Sequence, residues 1–380
     1  MSFGVLALLV SAGLAGPALA ASRRLLLPVV VGEIAAGVVL GRTGFSWIDP
    51  ADATTKFLGE IGFAMLMFEA GMHVPLRHPG LAGGLRRGAV AAVLVALLSP
   101  PAGLVVSWAT GEHHTAIYAL LFASGSAAVL LPVLEERGLL ADPRALTLMG
   151  QVALADVGAV VALPLVLQPS RAGRAALGGL AVALAALVVF ALVQLLHRRD
   201  WVVELRRQSK HRTWGLDLRL SLLVLFVLAW IAVRSGTSTL VAGFAVGLIV
   251  AAIGGPKRLS TQVAGLGAAF FVPLFFVVLG SRLDLRALWQ HPSNLGLLGA
   301  LIAANVLLHL VAARATHQPF AAGLAATAQM GVPAAVVALG LERHVISAGQ
   351  GAAIMAAALL TIGFGSVGVA RLAAPPKSAA

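Results

Sequence analysis

The sequence contains no cysteine and few charged residues. Without cysteine the chain can form neither a disulfide nor a thiolate metal site, although this leaves the redox state of its compartment open. Asp, Glu, Lys and Arg make up only 11% of the 380 residues, whereas 59% are hydrophobic and the mean hydropathy is +0.95. A soluble domain of this length needs a larger polar fraction. The composition therefore predicts an all-α membrane protein that crosses the bilayer many times.

Residue patterns typical of enzymes are absent from the sequence as well. The ten histidines follow no metal-ligand spacing, and there is neither a nucleophile elbow nor a glycine-rich phosphate loop between a strand and a helix. We therefore expect no enzyme active site and no cofactor. The net charge of +12 does not indicate nucleic acid as a partner, because the basic residues stand in short loops between apolar segments, where membrane topology explains them.

A membrane-spanning helix needs about 20 mainly apolar residues, and a window of that length finds thirteen candidates. No basic residue precedes the first, so we expect it to be retained rather than cleaved as a signal peptide. Of the 27 Lys and Arg residues, 19 fall in one set of alternate loops and 8 in the other. The positive-inside rule then predicts an outside N-terminus and a cytoplasmic C-terminus. The candidates run near 3–20, 25–41, 56–74, 88–109, 115–134, 144–167, 173–196, 216–233, 237–254, 263–281, 295–313, 319–340 and 348–370.

The order of these helices predicts two inverted six-helix repeats joined by a linker helix. The longest polar stretch follows the seventh helix and divides the chain into six helices, one linking helix and six more. Because seven is odd, the last six helices begin on the opposite side of the membrane from the first six. This stretch either lies on the membrane surface or is a solvated connector. The predicted boundaries are 1–171 for the first repeat, 172–215 for the linker helix and basic loop, 216–371 for the second repeat, and 372–380 for a short cytoplasmic tail.

Two similar segments support the repeat and predict broken helices. "SGSAAVLLPVLEERGLL" in the fifth helix and "QMGVPAAVVALGLERHVI" in the twelfth both show a small or polar break, then Ala-Ala-Val, then Glu-Arg. We expect the helical breaks near 124–126 and 329–333. In inverted-repeat transporters the substrate site lies where such helices meet near the bilayer midplane.

One carboxylate, Asp156, interrupts the apolar run "GQVALADVGAVVALPLVL" at 150–167, with no Lys or Arg near it in sequence. A charge at the bilayer centre costs roughly 3 kcal/mol on insertion scales, so such a residue usually faces a partner, a cavity or an ion. A carboxylate can hold either a proton or a hard cation, which prefers oxygen ligands. Asp156 is therefore the candidate site for a proton and a monovalent cation. The alternative is an acid that a neighbouring helix satisfies for packing.

Freed carbonyls and hydroxyls at the breaks are candidates to complete a cation shell. Ser124 and Ser126, which flank Gly125, are the candidate oxygen donors, although small residues at this point also allow close helix packing. Gln329, at the opposing break, is a weaker candidate. Gln151 stands more than one turn before Asp156 and can at most support the site from outside.

Four segments resemble, in order, signatures of the bacterial monovalent cation:proton antiporters, in the sodium/hydrogen exchanger and potassium-efflux branch. They are "LPVVVGEIAAGVVLGRTGF", "LGEIGFAMLMFEAGMHVPL", "SAAVLLPVLEERGLL" and "FFVPLFFVVLGSRLDL". The resemblance covers nearly the whole chain and implies a thirteen-helix antiporter of the bacterial inner membrane. It also implies a homodimer with a scaffold bundle and a moving core bundle, in which the fifth and twelfth helices cross. The family's ion-binding aspartate corresponds to Asp156.

The resemblance also assigns expected roles to three further acids. Glu33, Glu60 and Glu69 stand on helices that resemble the scaffold bundle, which implies interhelical hydrogen bonds and subunit contacts. Glu69 is the candidate exception.

Three positions of the presumed core depart from the family pattern. Many electrogenic members have a second acid before the binding aspartate, where this chain has Ala155, and a lysine on the eleventh helix, where Asn305 stands. The twelfth helix often reads Arg-Gly-Glu after its break, and here reads Met-Gly-Val at 330–332. Loss of these charges predicts electroneutral exchange. His309, one turn from Asn305, is the residue that could supply a second proton.

We therefore predict a secondary transporter that exchanges sodium or potassium for a proton by alternating access. One alternative is a proton-coupled exporter of an organic cation or other small solute, because a site with fewer charges also suits a larger substrate. A non-transporting scaffold is a third possibility, but a scaffold gains little from an expensive carboxylate. The sequence ends shortly after the last helix, so we expect no nucleotide-binding regulatory domain.

Overall fold

The computed structural model describes residues 2–21, 29–72, 81–139, 142–167, 169–196, 199–212, 214–235, 237–254 and 257–373. The predicted tail at 372–380 lies outside these ranges from residue 374 onward. Over the described ranges the chain forms helices and no strand, which confirms the all-α prediction. The α-helices are α1 (Phe3–Gly13), α2 (Ala15–Ala20), α3 (Val29–Leu40), α4 (Ala53–Met72), α5 (Leu81–Thr110), α6 (Thr115–Ala123), α7 (Ala127–Glu136), α8 (Pro143–Leu167), α9 (Ala172–Leu196), α10 (Asp200–His211), α11 (Leu216–Arg234), α12 (Thr239–Ile253), α13 (Lys257–Leu266), α14 (Val272–Arg282), α15 (Leu285–Gln290), α16 (Pro292–Ala315), α17 (Phe320–Ala326), α18 (Gly331–Glu342) and α19 (Ala348–Ala373).

The lengths and apolar composition of the helices fit a chain that crosses a membrane several times. Within the described residues, nine helical segments are long and apolar enough to span a bilayer, and α3 and α12 are apolar but shorter. Helices suit this environment because they satisfy their own backbone hydrogen bonds where no water is available. Each of the thirteen predicted windows overlaps at least one helix. The count of thirteen crossings stays a prediction, because the remaining windows are short, charged or interrupted.

The chain divides into two compact units, each built from separate stretches of sequence. The first unit comprises Met1–Gly37, Trp47–Arg77 and Gln168–Gly280, and the second comprises Val38–Ser46, His78–Leu167 and Ser281–Ala380. Each unit takes helices from both predicted repeats. The inverted repeat and its boundaries at 171 and 216 therefore remain a prediction, since the units follow packing rather than sequence order.

In the first unit, α4 and α12 approach closely through glycines. A Cβ added at Gly247 would lie 2.3 Å from the carbonyl oxygen of Phe68 and 2.6 Å from the Cα of Gly71. A Cβ added at Gly243, one turn earlier on α12, would lie 2.3 Å from the carbonyl oxygen of Ala64. Small residues four positions apart let two helix backbones touch, which is a common way to pack helices in lipid.

In the second unit, α5 and α8 also approach each other closely through glycines. A Cβ added at Gly84 would lie 2.5 Å from the carbonyl oxygen of Leu146, and one added at Gly88 would lie 2.4 Å from both the carbonyl oxygen of Thr147 and the amide nitrogen of Gln151. Such distances are too short for any side chain. The glycines of α5 therefore set the position of α8, the helix that carries Asp156.

Candidate ion-binding site

Two pairs of half-helices surround the candidate site in the second unit. Helix α6 ends at Ala123 and α7 begins at Ala127, so the predicted break at 124–126 is confirmed. The other break lies at 327–330, between α17 and α18, and the predicted range of 329–333 is therefore wrong at its C-terminal side. Gly331 is the first residue of α18 and Pro333 the third. Proline fits the first turn because the N–H that it lacks would have no partner in the helix.

Each half-helix lies against the opposite half of the other broken helix. Helix α6 contacts α18. Ala127 and Leu130 of α7 share a buried apolar cluster with Ala322 and Ala325 of α17. The first half of each broken helix thus packs with the second half of the other, which brings the two breaks into one part of the unit.

Asp156 caps the start of α7. The residue lies on α8, is only 5% exposed, and its Oδ2 accepts a hydrogen bond of 3.3 Å from the backbone N–H of Ala127. Ser126, the N-cap residue of α7, makes no side-chain capping bond. The first N–H groups of a helix have no partner within the helix and carry partial positive charge. Asp156 thus takes the role that the serine would usually have.

The first break lies against the face of α8 that carries Asp156. A Cβ added at Gly125 would lie 2.9 Å from Cγ1 of Val152, which is one helical turn before Asp156. Ser124 and Ser126 are both buried on either side of this glycine. The hydroxyl of Ser124 donates to the carbonyl of Leu121 at 2.8 Å, which leaves its oxygen lone pairs as acceptors. Both predicted oxygen donors are therefore in the break beside Asp156.

Asn305, on α16, forms hydrogen bonds with two residues of the second break. Its Nδ2 donates to the carbonyl oxygen of Thr327 at 3.1 Å, and its Oδ1 accepts from Nε2 of Gln329 at 3.0 Å. All three side chains are buried. A carbonyl released at the end of a helix carries partial negative charge, so it needs a donor when it is buried. The amide of Asn305 supplies this donor without adding a charge.

The other predicted core residues lie around this arrangement. His309 is buried, and its Nδ1 lies 2.9 Å from the backbone carbonyl oxygen of Asn305, which accepts from the protonated nitrogen. Oε1 of Gln151 accepts from Nε2 of Gln318 at 3.5 Å, at the turn between α16 and α17. Ala155 is partly buried and adds no polar atom.

A small cavity opens at the second break. Its volume is about 20 Å³, which is room for about one water molecule. Asn305, Gln329 and Thr361 provide its polar lining, while Pro333 and Phe122 belong to its apolar wall. Asp156, Ser124 and Ser126 are not among the residues that line it.

The three acids expected to be structural all lie in the first unit. Glu33 is buried, and its Cγ would lie 2.8 Å from a Cβ added at Gly16. Glu60 is partly buried on α4. The carboxylate of Glu69 packs on Gly267, the first residue of a π-helical turn at Gly267–Phe271. The compact unit that contains Asp156 therefore contains none of these three glutamates.

Sequence reasoning missed one residue at each break. Thr327 offers its carbonyl to Asn305, and its hydroxyl donates to the carbonyl of Leu324 at 2.7 Å and lies 3.4 Å from that of Thr361. A hydroxyl in the small-residue segment "LAATAQMGVP" was the available signal. The N–H of Ala127 was also missed, since no side chain marks it.

Comparisons with known proteins agree with this architecture. The family described as "Sodium/hydrogen exchanger, transmembrane" matches residues 6–374. The chain is 26% identical to a Na(+)/H(+) antiporter of Enterococcus hirae over 272 residues, which are 69% of each protein. It is 25% identical to the Na(+)/H(+)-K(+) antiporter GerN of Bacillus cereus over 284 residues, covering 74% of this chain and 71% of the relative.

A solved structure has the same fold. The sodium proton antiporter MjNhaP1 of Methanocaldococcus jannaschii aligns with a TM-score of 0.66 at 18% identity, over 96% of this chain and 94% of that one. Together with the family match over nearly all residues, this likeness confirms the resemblance drawn from the motifs. The chain is a member of the sodium/hydrogen exchanger family of membrane transporters.

Proposed function

We propose that this protein exchanges a monovalent cation, sodium or potassium, for a proton by alternating access, with Asp156 binding either ion in competition. The observation that carries the proposal is the buried carboxylate of Asp156 at the N-terminal end of α7, beside a break in the helix. Relatives named as Na(+)/H(+) and Na(+)/H(+)-K(+) antiporters support the choice of ions. Competition of both ions for one group couples their movements, because the site can leave one side of the membrane with only one of them.

The chemistry of the first break supports a small cation as the substrate. Ser124 and Ser126 provide hydroxyl oxygens on either side of Gly125, and a hard monovalent cation prefers oxygen ligands. When one carboxyl oxygen of Asp156 holds a proton, the other is a carbonyl oxygen and can still accept a hydrogen bond from the N–H of Ala127.

The decisive experiment uses purified protein in liposomes with an imposed pH gradient. We expect sodium or potassium, added outside, to move protons at a rate that saturates with cation concentration, whereas choline should not. The internal pH, followed with a trapped fluorescent indicator, measures the exchange. Proton movement driven only by an organic cation would replace the proposal with export of such a solute. Absence of movement with every cation would leave a non-transporting scaffold.

The proposal includes the membrane and the assembly. We propose a homodimer in a bacterial inner membrane, as the resemblance to the antiporters implies. We place the N-terminus outside because 19 of the 27 basic residues then fall in loops on the cytoplasmic side. His113, in the turn before α6, and His211, the last residue of α10, are both exposed and are predicted to lie on opposite sides. Single cysteines placed at these positions of the cysteine-free chain should react with an impermeant maleimide from opposite faces. Reaction of both from one face would contradict the orientation.

We further propose that exchange is electroneutral. Near Asp156 the neutral Ala155 provides no second acid, and the carbonyl of Thr327 is bound by the amide of Asn305 instead of a charged lysine. One carboxylate carrying either one proton or one monovalent cation moves no net charge per cycle. His309 is tied to a backbone carbonyl of its own helix, which supports a packing role.

Electroneutrality is tested by clamping the membrane potential of the liposomes with potassium and valinomycin while sodium is transported. We expect the rate and the equilibrium position of sodium–proton exchange to be the same at every potential, because no net charge crosses. A reversal point that moves with voltage would contradict one-for-one exchange. If that movement disappears in His309→Ala, the histidine carries a second proton.

A further inference from the structure

The first unit contains a second, larger cavity, far in sequence from Asp156. Its volume is about 110 Å³, and it lies between α9, α10, α11, α12 and α13. Nine of its twelve lining residues are Val, Leu or Ile, and the three polar ones are Arg206, Asp217 and Ser221. The apolar residues are Val189, Val193, Leu220, Val224, Val246, Ile249, Val250, Ile253 and Leu259. The cavity thus has an aliphatic wall with a small polar group of side chains.

Two of these three polar side chains, Arg206 and Asp217, form an ion pair. Nε of Arg206 on α10 lies 3.4 Å from Oδ1 of Asp217, which is the second residue of α11. Both side chains are partly accessible, at 35% and 18% of their full exposure. A guanidinium has five N–H donors in a plane, so a single long contact to a carboxylate uses a small part of its capacity. Arg206 can therefore bind an anion in addition to Asp217.

The helix that supplies Arg206 has the character of a membrane-surface helix. Of the two readings that the sequence left open, the structure gives the basic stretch a regular helix, α10. Trp201 and Val203 are well exposed on it, and basic residues including Arg207 follow along the same helix. Exposed aromatic and aliphatic residues together with several basic ones are typical of a helix that lies at a bilayer surface and attracts anionic lipids.

We propose that this cavity binds one acyl chain of an anionic phospholipid, with the headgroup phosphate on Arg206. Three observations lead to this ligand rather than another. The aliphatic wall excludes a hydrated ion, the arginine disfavours a transported cation, and both together match an amphiphile with a negative headgroup. An apolar cavity on the order of 150 Å³ takes up benzene, so 110 Å³ accommodates a segment of one chain.

Asp217 sets the strength of this binding because it competes with phosphate for the same arginine. The headgroup must share the guanidinium with the carboxylate, and the carboxylate also repels the phosphate. Removal of the carboxylate should therefore strengthen lipid binding, whereas removal of the guanidinium should weaken it. A purely structural ion pair would predict no such opposite effects, since either change would only break the same contact.

The test measures lipid binding to the purified full-length chain in a neutral detergent, by native mass spectrometry. Phosphatidylglycerol is the probe, with phosphatidylcholine of the same acyl chains and inorganic phosphate as comparisons. We expect phosphatidylglycerol to bind at one site, Arg206→Gln to weaken it about tenfold, and Asp217→Asn to tighten it several-fold, as expected for a charge-assisted hydrogen bond. Val250→Phe, which fills the aliphatic wall, should remove the bound lipid.

Arg207→Gln is the matched control. Arg207 is the next residue of α10, pairs with Glu204 at 3.0 Å and does not line the cavity, so its loss should change binding less than twofold. Equal weakening by Arg206→Gln and Arg207→Gln would overturn the proposal in favour of diffuse surface charge. Equal binding of phosphatidylcholine would overturn the headgroup assignment, and displacement of the lipid by inorganic phosphate alone would overturn the role of the acyl chain.

Discussion

Asp156→Asn is expected to reduce cation–proton exchange to the level of protein-free liposomes while the protein remains folded and inserted. The amide oxygen can still accept from the N–H of Ala127, so the cap on α7 is retained. An amide can neither take up nor release a proton at physiological pH, and it replaces an anionic oxygen ligand with a neutral one. The variant therefore loses both proton binding and cation binding at this position. Sodium-driven changes of internal pH measure the activity, and the thermal midpoint of unfolding measures stability.

Glu33→Gln is the control for this variant, since it makes the same change at another buried acid. Glu33 lies in the first unit and packs on Gly16, so its loss should affect stability or assembly but leave exchange and cation preference in place. Asp156→Asn should be at least as stable as the parent, because it removes a charge from the interior of the membrane. Normal proton-coupled transport by Asp156→Asn would show that another group carries the ions.

The second large effect is expected from Gly88→Ala, which adds one methyl group where α5 meets α8. The new Cβ would lie 2.4 Å from two backbone atoms of α8, those of Thr147 and Gln151, and neither can move without the helix. Overpacking of this kind costs about 1–3 kcal/mol of unfolding free energy. Because α8 carries Asp156, the shift should also reduce exchange. Thermal unfolding in detergent and exchange in liposomes would be measured on the same preparation.

Gly83→Ala makes the same change on the same helix at a position where the added Cβ meets nothing within 4 Å. It should leave exchange unaltered and be neutral or stabilising by about 0.5 kcal/mol, since alanine favours a helix more than glycine does. The comparison separates the contact from the helix propensity. If both variants behaved alike, close packing by Gly88 would not position α8.

Sequence was a good guide to features that depend on a few neighbouring residues. The apolar runs predict helices because each run must satisfy its own backbone in lipid, and the chain folds accordingly. The Ser-Gly-Ser break at 124–126 was located correctly, because small and polar residues interrupt a helix locally. The second break was misplaced because Gly331 and Pro333 were assigned to it, whereas both lie in the first turn of α18.

The packing of individual glycines shows the limit of such reasoning. The chain has 42 glycines, and a glycine that touches a neighbouring helix looks the same in the sequence as one that does not. Gly84 and Gly88 touch the backbone of α8, but Gly158, on α8 itself, and Gly179, on α9, face open space. Which glycines are needed depends on the neighbouring helix, and no single helix contains that information.

By itself, the sequence determined that this chain is an α-helical membrane protein, that Asp156 is its conspicuous intramembrane acid, and that its motifs are those of a cation:proton antiporter. The first two properties follow from composition and apolar length, which are already present in one segment at a time, and the third follows from the resemblance of four segments to that family. Only the tertiary structure decided that Asp156 rather than Ser126 caps α7 across 29 residues of sequence, and that Asn305 holds the carbonyl of Thr327 across 22. It also placed Glu33, Glu60 and Glu69 in a different compact unit from Asp156. The physical reason is that a buried polar group must form a hydrogen bond with a group on a neighbouring helix. Contacts between segments that are distant in sequence determine which helix is the neighbour.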